Sequence, residues 1–121
     1  MLRLRSWAIE MKQFTSRGGV RLDFFNATWP FATLAVNREK IEINVPVARI
    51  VGESRYLFPA VSVLSVERYS SIPFVGWGIR IHHRINRYPS KVVFWTFRSP
   101  TDVLTSIEET GFPVAAKLVR K

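Results

Sequence analysis

The segment spanning residues 77–98 holds the side chains of this sequence that are best suited to binding an anion. It contains four arginines, one lysine and two adjacent histidines, and it contains no aspartate or glutamate. Side chains alternate between the two faces of a strand, so a strand from Gly78 would place Arg80, His82 and Arg84 in one row. Arginine forks donate paired hydrogen bonds to phosphate or carboxylate. The candidate residues for binding an anion or a partner are Arg80, His82, Arg84, Arg87, Lys91 and Arg98.

The alternative for this basic segment is a solvated outer sheet face without a ligand. Beside it, Phe74 and Trp77 lie in a loop with Gly76 and Gly78. Glycines at these places predict a bulge or a close approach of two backbones. An apolar pair next to arginines suits a membrane surface or a protein groove, so Phe74 and Trp77 are the candidate apolar contact residues. The alternative for Trp77 is packing in the interior.

Two further tryptophans are expected to pack in the interior. Trp95 shares a predicted strand face with Val93 and Phe97, which indicates a core position. Trp29 precedes Pro30. Because proline cannot donate to a sheet ladder, it predicts a bend or the start of a new strand at this place.

Signals for metal binding and catalysis are weak. His82 and His83 are strand neighbours that point to opposite faces, and the arginines around them repel a cation. We therefore predict no metal site and expect His83 to be a hydrogen-bonded, partly buried histidine. The sequence has no nucleophile-elbow, His-Glu-x-x-His or phosphate-loop motif, and Glu108 and Glu109 would project about 100° apart on a helix. We predict no catalytic residue and no cofactor, with an enzyme acting on a small anionic substrate as the weaker alternative.

The composition indicates one small folded domain with a basic surface. The chain has 121 residues, 47% of them hydrophobic, and a net charge of +9. This charge favours nucleic acid, anionic lipid or an acidic protein face. The absence of cysteine fits a reducing cytoplasm. Arg3, Arg5 and Glu10 interrupt any apolar signal region, and the uncharged run 24–37 is shorter than the roughly 20 residues of a membrane span. We expect a cytoplasmic protein without a transmembrane segment, with peripheral membrane association as an alternative.

The hydrophobic periodicity predicts a mainly β fold. Apolar and polar residues alternate at 41–45, after a polar turn at 37–40. Pro46 should end or kink this strand, with 48–51 as a further continuation of it. Similar stretches recur, so that about seven short strands fit into 20–98. With one apolar face on each strand, the strands must pack into a partly open barrel or sandwich.

A helix follows the strands. Ser99 is a suitable N-cap, Pro100 suits the first turn, and Gly111 suits the residue after the end. An apolar stripe between them predicts that the helix caps the barrel. The expected segments are an N-terminal extension at 1–19 set apart by Gly18-Gly19, a β-barrel at 20–98, a capping helix at 99–111 and a basic tail at 112–121.

Three pieces of the chain carry a resemblance to a known family. They are Trp29-Pro-Phe-Ala-Thr-Leu-Ala-Val36, Pro73-Phe-Val-Gly-Trp-Gly-Ile-Arg-Ile-His-His83, and Val92-Val-Phe-Trp-Thr-Phe-Arg98 followed by a helix that ends at Gly111-Phe112. In this order and spacing they resemble small bacterial pleckstrin-homology-like (PH-like) domains. The resemblance implies a partly open barrel of seven strands capped by the helix. The stretch 25–30 lacks the basic residues that lipid-headgroup-binding members carry there.

The element order, the missing catalytic motifs and the basic charge lead to three functional hypotheses. The leading one is a non-catalytic binding or scaffolding module for protein interaction or self-association, with the cytoplasmic membrane surface as one setting. Exposed edge strands would offer a route to pairing between copies. The alternative is a binder of anionic lipid or nucleic acid that uses the basic sheet face, and the weaker alternative is the enzyme noted above.

Overall fold

A computed structural model of the chain describes residues 13–22, 26–50, 53–72 and 76–114. In this part, seven antiparallel strands form one sheet and a single α-helix follows them. The elements are β1 (Gln13–Leu22), β2 (Asn26–Asn37), β3 (Lys40–Asn44), β4 (Arg55–Pro59), β5 (Val63–Ile72), β6 (Gly76–His83), β7 (Val92–Trp95) and α1 (Pro100–Glu109). The predicted class, mainly β with a C-terminal helix, is confirmed.

The strand order in the sheet is β4-β3-β2-β1-β7-β6-β5. Strands β1 to β4 lie side by side in chain order, and so do strands β5 to β7. Strand β1 joins the two groups by pairing with both β2 and β7. The sheet is open, since β4 and β5 are its two edges. This arrangement fits the expected partly open barrel or sandwich.

The first strand begins earlier than the sequence predicted. It starts at Gln13 and runs through Gly18 and Gly19, so the break expected at the glycine pair, and the barrel boundary at residue 20, are wrong. The glycines allow close packing instead of a turn. A Cβ added to Gly19 would lie 2.5 Å from Cε2 of Trp95 and 2.6 Å from the Ala27 carbonyl oxygen. At position 19 of β1, between β2 and β7, there is room only for the hydrogen atom that glycine has as a side chain.

The second strand contains a bulge around Pro30. The pairs Gly18↔Ala32 and Val20↔Ala27 enclose one residue on β1 but four on β2, and the Trp29–Pro30 peptide bond is cis. The bend predicted from the proline is therefore a bulge within one strand. It leaves Trp29 43% exposed, so the prediction that this tryptophan packs in the interior is wrong.

The next strands follow the predicted alternation. The polar turn is formed by Asn37, whose Oδ1 accepts hydrogen bonds from the backbone N–H of Glu39 at 2.8 Å and of Lys40 at 3.1 Å. Ile41 and Ile43 are completely buried. The expected continuation at 48–51 is wrong, because Pro46–Ile50 forms a 3-10 helix.

The inner face of the last strand is the opposite of the predicted one. Val92 and Phe94 point into the core and are fully buried, whereas Phe97 is 67% exposed. Trp95 lies on the outer face, where it covers Gly19. The run from 92 to 97 is apolar at nearly every position, so alternation alone does not indicate which face is inside.

An aromatic cluster around Tyr88 packs against β4 and the end of β6. Its ring lies 5.0 Å from that of Tyr56 and 5.3 Å from that of Phe58. Its hydroxyl accepts a hydrogen bond from the backbone N–H of Leu57 on the outer side of β4, at 3.0 Å. Tyr88 thus covers the core next to the edge strand β4.

His83 borders the same cluster and is held as the sequence predicted. Its Nδ1 accepts a hydrogen bond from the Ile85 N–H at 3.0 Å, and its Nε2 lies 2.8 Å from the Pro89 carbonyl oxygen. Because one ring nitrogen accepts and the other faces an acceptor, the proton of the neutral ring belongs on Nε2. The histidine fixes the turn after β6.

The helix confirms its predicted caps. The hydroxyl of Ser99 accepts a hydrogen bond from the Asp102 N–H at 3.4 Å, and Gly111 has a φ of 113°. The stripe of Val103, Leu104 and Ile107 is buried, and α1 packs against β5 and β6.

The chain beyond the helix still belongs to the fold. The Val66 N–H on the free edge of β5 donates to the Pro113 carbonyl oxygen at 2.9 Å, and Phe112 is buried. The expected boundary between helix and tail at residue 112 is therefore too early.

We expect Gly19→Ala to destabilise the protein by about 1–3 kcal/mol, because the methyl group would overpack the contact with Trp95. Urea denaturation followed by circular dichroism measures the change. Gln13→Ala, at an exposed position on the same strand, should change the free energy of unfolding by less than about 0.5 kcal/mol. An unchanged midpoint for Gly19→Ala would contradict the packing described here.

We expect the Tyr56 phenol to titrate at a higher pH than a free tyrosine. Burial raises its pKa above the ordinary value, and the charge of Glu53 and the neighbouring Tyr88 raise it further. Because the folded state holds this proton more tightly than the unfolded chain, the associated stability is complete below pH about 10 and is lost as the pH rises through the folded pKa. Phenolate absorbance during an alkaline titration measures the effect, and Tyr56→Phe should remove the late component. If the component lost in Tyr56→Phe is centred at the pKa of a free tyrosine, the expectation is wrong.

Candidate functional site

The predicted basic residues occupy three different places. Arg80 and His82 lie half-buried on β6, on the outer face of the sheet, and Lys91 lies just before β7. Arg84 and Arg87 are exposed beyond the end of β6, and Arg98 is exposed beyond the end of β7. The structure therefore brings Arg80 and His82 together but separates Arg98 from them along the sheet.

The row on β6 faces a carboxylate. Glu67 of β5 is the register partner of Arg80, and its Oε2 lies 2.8 Å from Nε2 of His82. The segment 77–98 lacks acids, but strand pairing supplies one from outside it. The outer face of β5 and β6 is thus a mixed-charge surface.

Two of the remaining cations lie over tyrosine rings. The guanidinium carbon of Arg87 lies 4.9 Å from the ring centroid of Tyr88, and its Nη2 lies 3.3 Å from the Tyr88 hydroxyl. The Lys91 ammonium lies 5.2 Å from the ring centroid of Tyr69. These contacts hold the two cations against the fold.

The predicted apolar pair is only partly described. Phe74 lies outside the described residues. Trp77 is 39% exposed, and the guanidinium carbon of Arg68 lies 3.5 Å from its ring centroid. The stacked arginine covers one face of this indole. The extra residue of the irregularity lies on β5, between Ser70 and Ile72, and not in the predicted glycine segment. The close backbone approach predicted as the alternative is present, since a Cβ added to Gly78 would lie 2.6 Å from the Phe94 carbonyl oxygen.

A different surface combines exposed aromatic rings with arginines. It is an open groove of about 550 Å³ on the outer face, where β1, β2 and the end of β7 meet. We call it the aromatic–arginine groove. Its lining residues are Thr15, Ser16, Arg17, Trp29, Thr33, Thr96, Phe97 and Arg98. Of the predicted site residues, only Arg98 belongs to it.

Irregularities in β2 and β7 build the groove. The bulge in β2 turns Trp29 outward, and the chain after β7 brings Phe97 to a ring-centroid distance of 5.7 Å from it. Thr96 anchors this chain to β1, since its hydroxyl donates to the Arg17 carbonyl oxygen at 2.8 Å. The rings of Trp95 and Phe97 form a T-shaped pair with a centroid distance of 5.8 Å.

The charge of the groove is entirely positive. Its lining contains two arginines and no acidic residue. Nη1 of Arg98 lies 3.4 Å from the Thr15 carbonyl oxygen, and its guanidinium carbon lies 4.9 Å from the ring centroid of Phe14. Arg17 is exposed, and among the described residues no carboxylate lies within ion-pair distance of it. Both guanidinium groups can therefore receive an anion.

Sequence reasoning missed this groove because its members are far apart in the chain. Arg17 and Arg98 are neighbours only through the pairing of β1 with the β7 region, and Trp29 joins them through the bulge. One local signal was present, namely the adjacency of Phe97 and Arg98 at the end of a strand. This adjacency indicates an exposed binding surface only if the solvent-facing side of β7 is known.

The described residues contain no group of three or more His, Cys, Asp or Glu side chains placed to hold a metal ion. No helix in the described ranges has the length and apolar character needed to cross a membrane. No protein-family model matches the chain, and no curated protein has a significantly similar sequence.

We expect Glu67→Gln to convert the mixed-charge surface of β5 and β6 into a cationic one. The variant should lose about 1 kcal/mol of stability because the carboxylate that contacts Nε2 of His82 is replaced by a neutral amide. Its binding to single-stranded oligothymidine should strengthen and depend more steeply on salt. Titrations at several salt concentrations measure this. Glu42→Gln, which breaks the ion pair with Arg55, changes the net charge equally and is the matched control. If both variants gain the same affinity for oligothymidine, the gain comes from net charge and not from the surface of β5 and β6.

Proposed function

We propose that the chain is a non-catalytic binding module of the PH-like type that binds a protein partner through the aromatic–arginine groove. The strand order and the helix packed on β5 and β6 support the PH-like assignment, since they agree with the architecture that the resemblance implies. The interior supports a non-catalytic role, because its largest buried side chains are apolar.

The observation that carries the proposal is the exposure of two large rings beside two arginines. Phe97 is 67% exposed and Trp29 is 43% exposed, and they touch each other. Tryptophan and arginine are the residue types that contribute most to protein–protein binding energy. Exposed apolar groups with a polar rim are typical of interaction surfaces. Thr15 and Thr33 supply such a rim.

The outer face of the sheet is favoured over its edge strands as the surface that binds a partner. At the β4 edge the Leu57 N–H is already bound to the Tyr88 hydroxyl. At the β5 edge the Val66 N–H is bound to the Pro113 carbonyl. Pairing of copies through these strands would have to displace both contacts, so self-association by edges is the less favoured form of the proposal.

Selection from a random dodecapeptide library displayed on phage tests the proposal. Wild-type protein should enrich peptides that bind about tenfold more weakly to the double variant Trp29→Ser, Phe97→Ser, as expected for loss of central apolar contacts. Val61→Ser, at a side chain that is 84% exposed elsewhere, is the control and should leave binding unchanged. If no enriched peptide depends on the two rings, the groove is not a protein-binding surface.

Binding of anionic lipid or nucleic acid is the second candidate function. It is supported by the net charge of +9 and by the acid-free lining of the groove. Phosphate-driven binding must weaken steeply with salt. Oligothymidine and phosphatidylserine vesicles should then bind at low salt and lose affinity in Arg17→Glu. Absence of binding at low salt would remove this candidate.

A further inference from the structure

We infer that residues 59–64, which connect β4 to β5, insert into the surface of an anionic phospholipid bilayer. The inference concerns a second surface and goes beyond the proposed function, because none of these residues lines the aromatic–arginine groove. It also assigns lipid, one ligand of the second candidate function, to this surface instead of the groove. Three features carry it: exposed aliphatic side chains, a backbone that holds them outward, and cations on the neighbouring connections.

The apolar side chains of this connection face solvent. Val61 is 84% exposed, the largest fraction among the exposed large hydrophobic residues of the described ranges, and Leu64 is 50% exposed. Pro59 and Ala60 beside them are exposed as well. Four exposed apolar residues within six positions of the chain differ from the single, scattered hydrophobic residues of an ordinary surface, and such clusters mark interaction sites.

The backbone holds these side chains outward. Residues Ala60–Ser62 form a 3-10 helix, and the hydroxyl of the buried Ser62 donates a hydrogen bond to the Pro59 carbonyl oxygen at 2.7 Å. Leu64 is the extra residue of a bulge in the pairing of β5 with β6, and a bulge takes a side chain out of the regular alternation. The apolar surface is therefore a fixed feature of the fold, and little ordering is needed when it meets a partner.

Two other connections are hydrogen-bonded to this one. The Ala60 N–H donates to the Glu39 carbonyl oxygen in the β2–β3 turn at 2.8 Å. The Arg84 N–H, just after β6, donates to the Ser62 carbonyl oxygen at 3.0 Å. The turn at 37–40, residues 59–64 and the β6–β7 connection at 84–91 therefore lie side by side.

The two neighbouring connections are strongly cationic. Together they carry one carboxylate, that of Glu39, and five cations, which are Arg38, Lys40, Arg84, Arg87 and Lys91. Lys40 is the register partner of Pro59, and Arg84 is exposed, so cations lie directly beside the apolar residues. Because anionic headgroups attract cations at a membrane surface, an anionic bilayer complements both the charge and the apolar character of this surface.

The residue types favour a bilayer over a protein as the partner of this surface. Residues that dominate protein–protein binding are enriched in Trp, Tyr and Arg, whereas Val and Leu are under-represented among them. Insertion into a bilayer is favoured by aliphatic side chains and by cations at the level of the headgroups. The groove, with Trp29 and Phe97, shows the first pattern, and residues 59–64 with their cationic neighbours show the second.

Co-sedimentation with lipid vesicles tests the inference. Phosphatidylcholine vesicles that contain about a third phosphatidylserine should bind the wild type at low salt, and pure phosphatidylcholine vesicles should bind it at least about tenfold more weakly. Val61→Ser combined with Leu64→Ser should weaken binding to the anionic vesicles about tenfold or more, because the inserted aliphatic area is lost. Trp29→Ser combined with Phe97→Ser removes two exposed side chains of the groove and is the matched control, which should bind vesicles as the wild type does.

Charge variants test the contribution of the cations. Arg84→Gln should weaken binding to the anionic vesicles about fivefold, as expected for the loss of one cation near the headgroups. Arg17→Gln removes the same charge from the groove and should change the affinity less than about twofold, because salt screens distant charges. Circular dichroism checks that every variant is folded, which is expected because all the changed side chains are exposed.

A single label reports insertion directly. The chain has no cysteine, so Val61→Cys provides one attachment site for the environment-sensitive dye nitrobenzoxadiazole. When anionic vesicles are added, the dye emission should shift to shorter wavelength and should be quenched by lipids that carry a spin label on the acyl chain. Val47→Cys, at a valine that is 44% exposed elsewhere, is the matched control, and its dye should show neither change.

Three results would overturn the inference. Absence of binding to the anionic vesicles at low salt would remove the bilayer as a ligand. Vesicle binding that survives the loss of Val61 and Leu64 but is lost with Arg17→Gln would place lipid in the groove, as the second candidate function has it. A dye shift at position 61 that grows with protein concentration in the absence of vesicles would assign this surface to a second copy of the chain. The phage selection depends on the groove alone, so the proposed function is tested independently of these results.

Discussion

The close approach of β2 and β7 to β1 at Gly18 and Gly19 is the constraint on which the rest of the structure depends. Among the strands that the structure describes, β1 alone joins the two halves of the sheet, and it does so where neither glycine has room for a side chain. Trp95 then covers Gly19 on the outer face. A larger residue here would push apart the strands that carry Arg17, Trp29 and Phe97, so the same contact joins the sheet and sets the shape of the groove.

An open sheet needs other means of closing its core, and this protein uses side chains and single backbone bonds. The ring of Tyr88 packs against Tyr56 of β4, and its hydroxyl accepts a hydrogen bond from a backbone N–H of the same strand. Pro113 satisfies a donor on β5. Unpaired donors at a sheet edge invite association with other chains. These contacts protect the edges without adding a strand, and they leave the outer face as the surface available to a partner.

The sequence predicted those parts of the fold that depend on local patterns. The alternation of Ile41 and Ile43 and the caps at Ser99 and Gly111 each correspond to what the structure shows, because burial and capping there depend on neighbours in the chain. The break predicted at Gly18 and Gly19 was wrong. Glycine is needed at position 19 because Trp95, a residue far away in sequence, packs against it.

The candidate site was mostly beyond sequence reasoning for the same reason. Arg98 was identified from its type, but its partners Arg17 and Trp29 come from other strands. The role of Glu67 beside His82 depends on the register of β5 and β6, which the sequence does not specify. In the uniformly apolar run of β7, both faces look like core, so the exposure of Phe97 could not be predicted.

The bulge in β2 has a consequence for how such a surface can change over evolution. The residues from Thr28 to Phe31 stand outside the ladder, while regular pairs resume on both sides of them. Replacing this stretch with one of different length or composition would alter what the groove accepts and leave the flanking register in place. Recognition can thus diversify on a conserved frame, and the same stretch is a natural position for grafting new specificities in the laboratory.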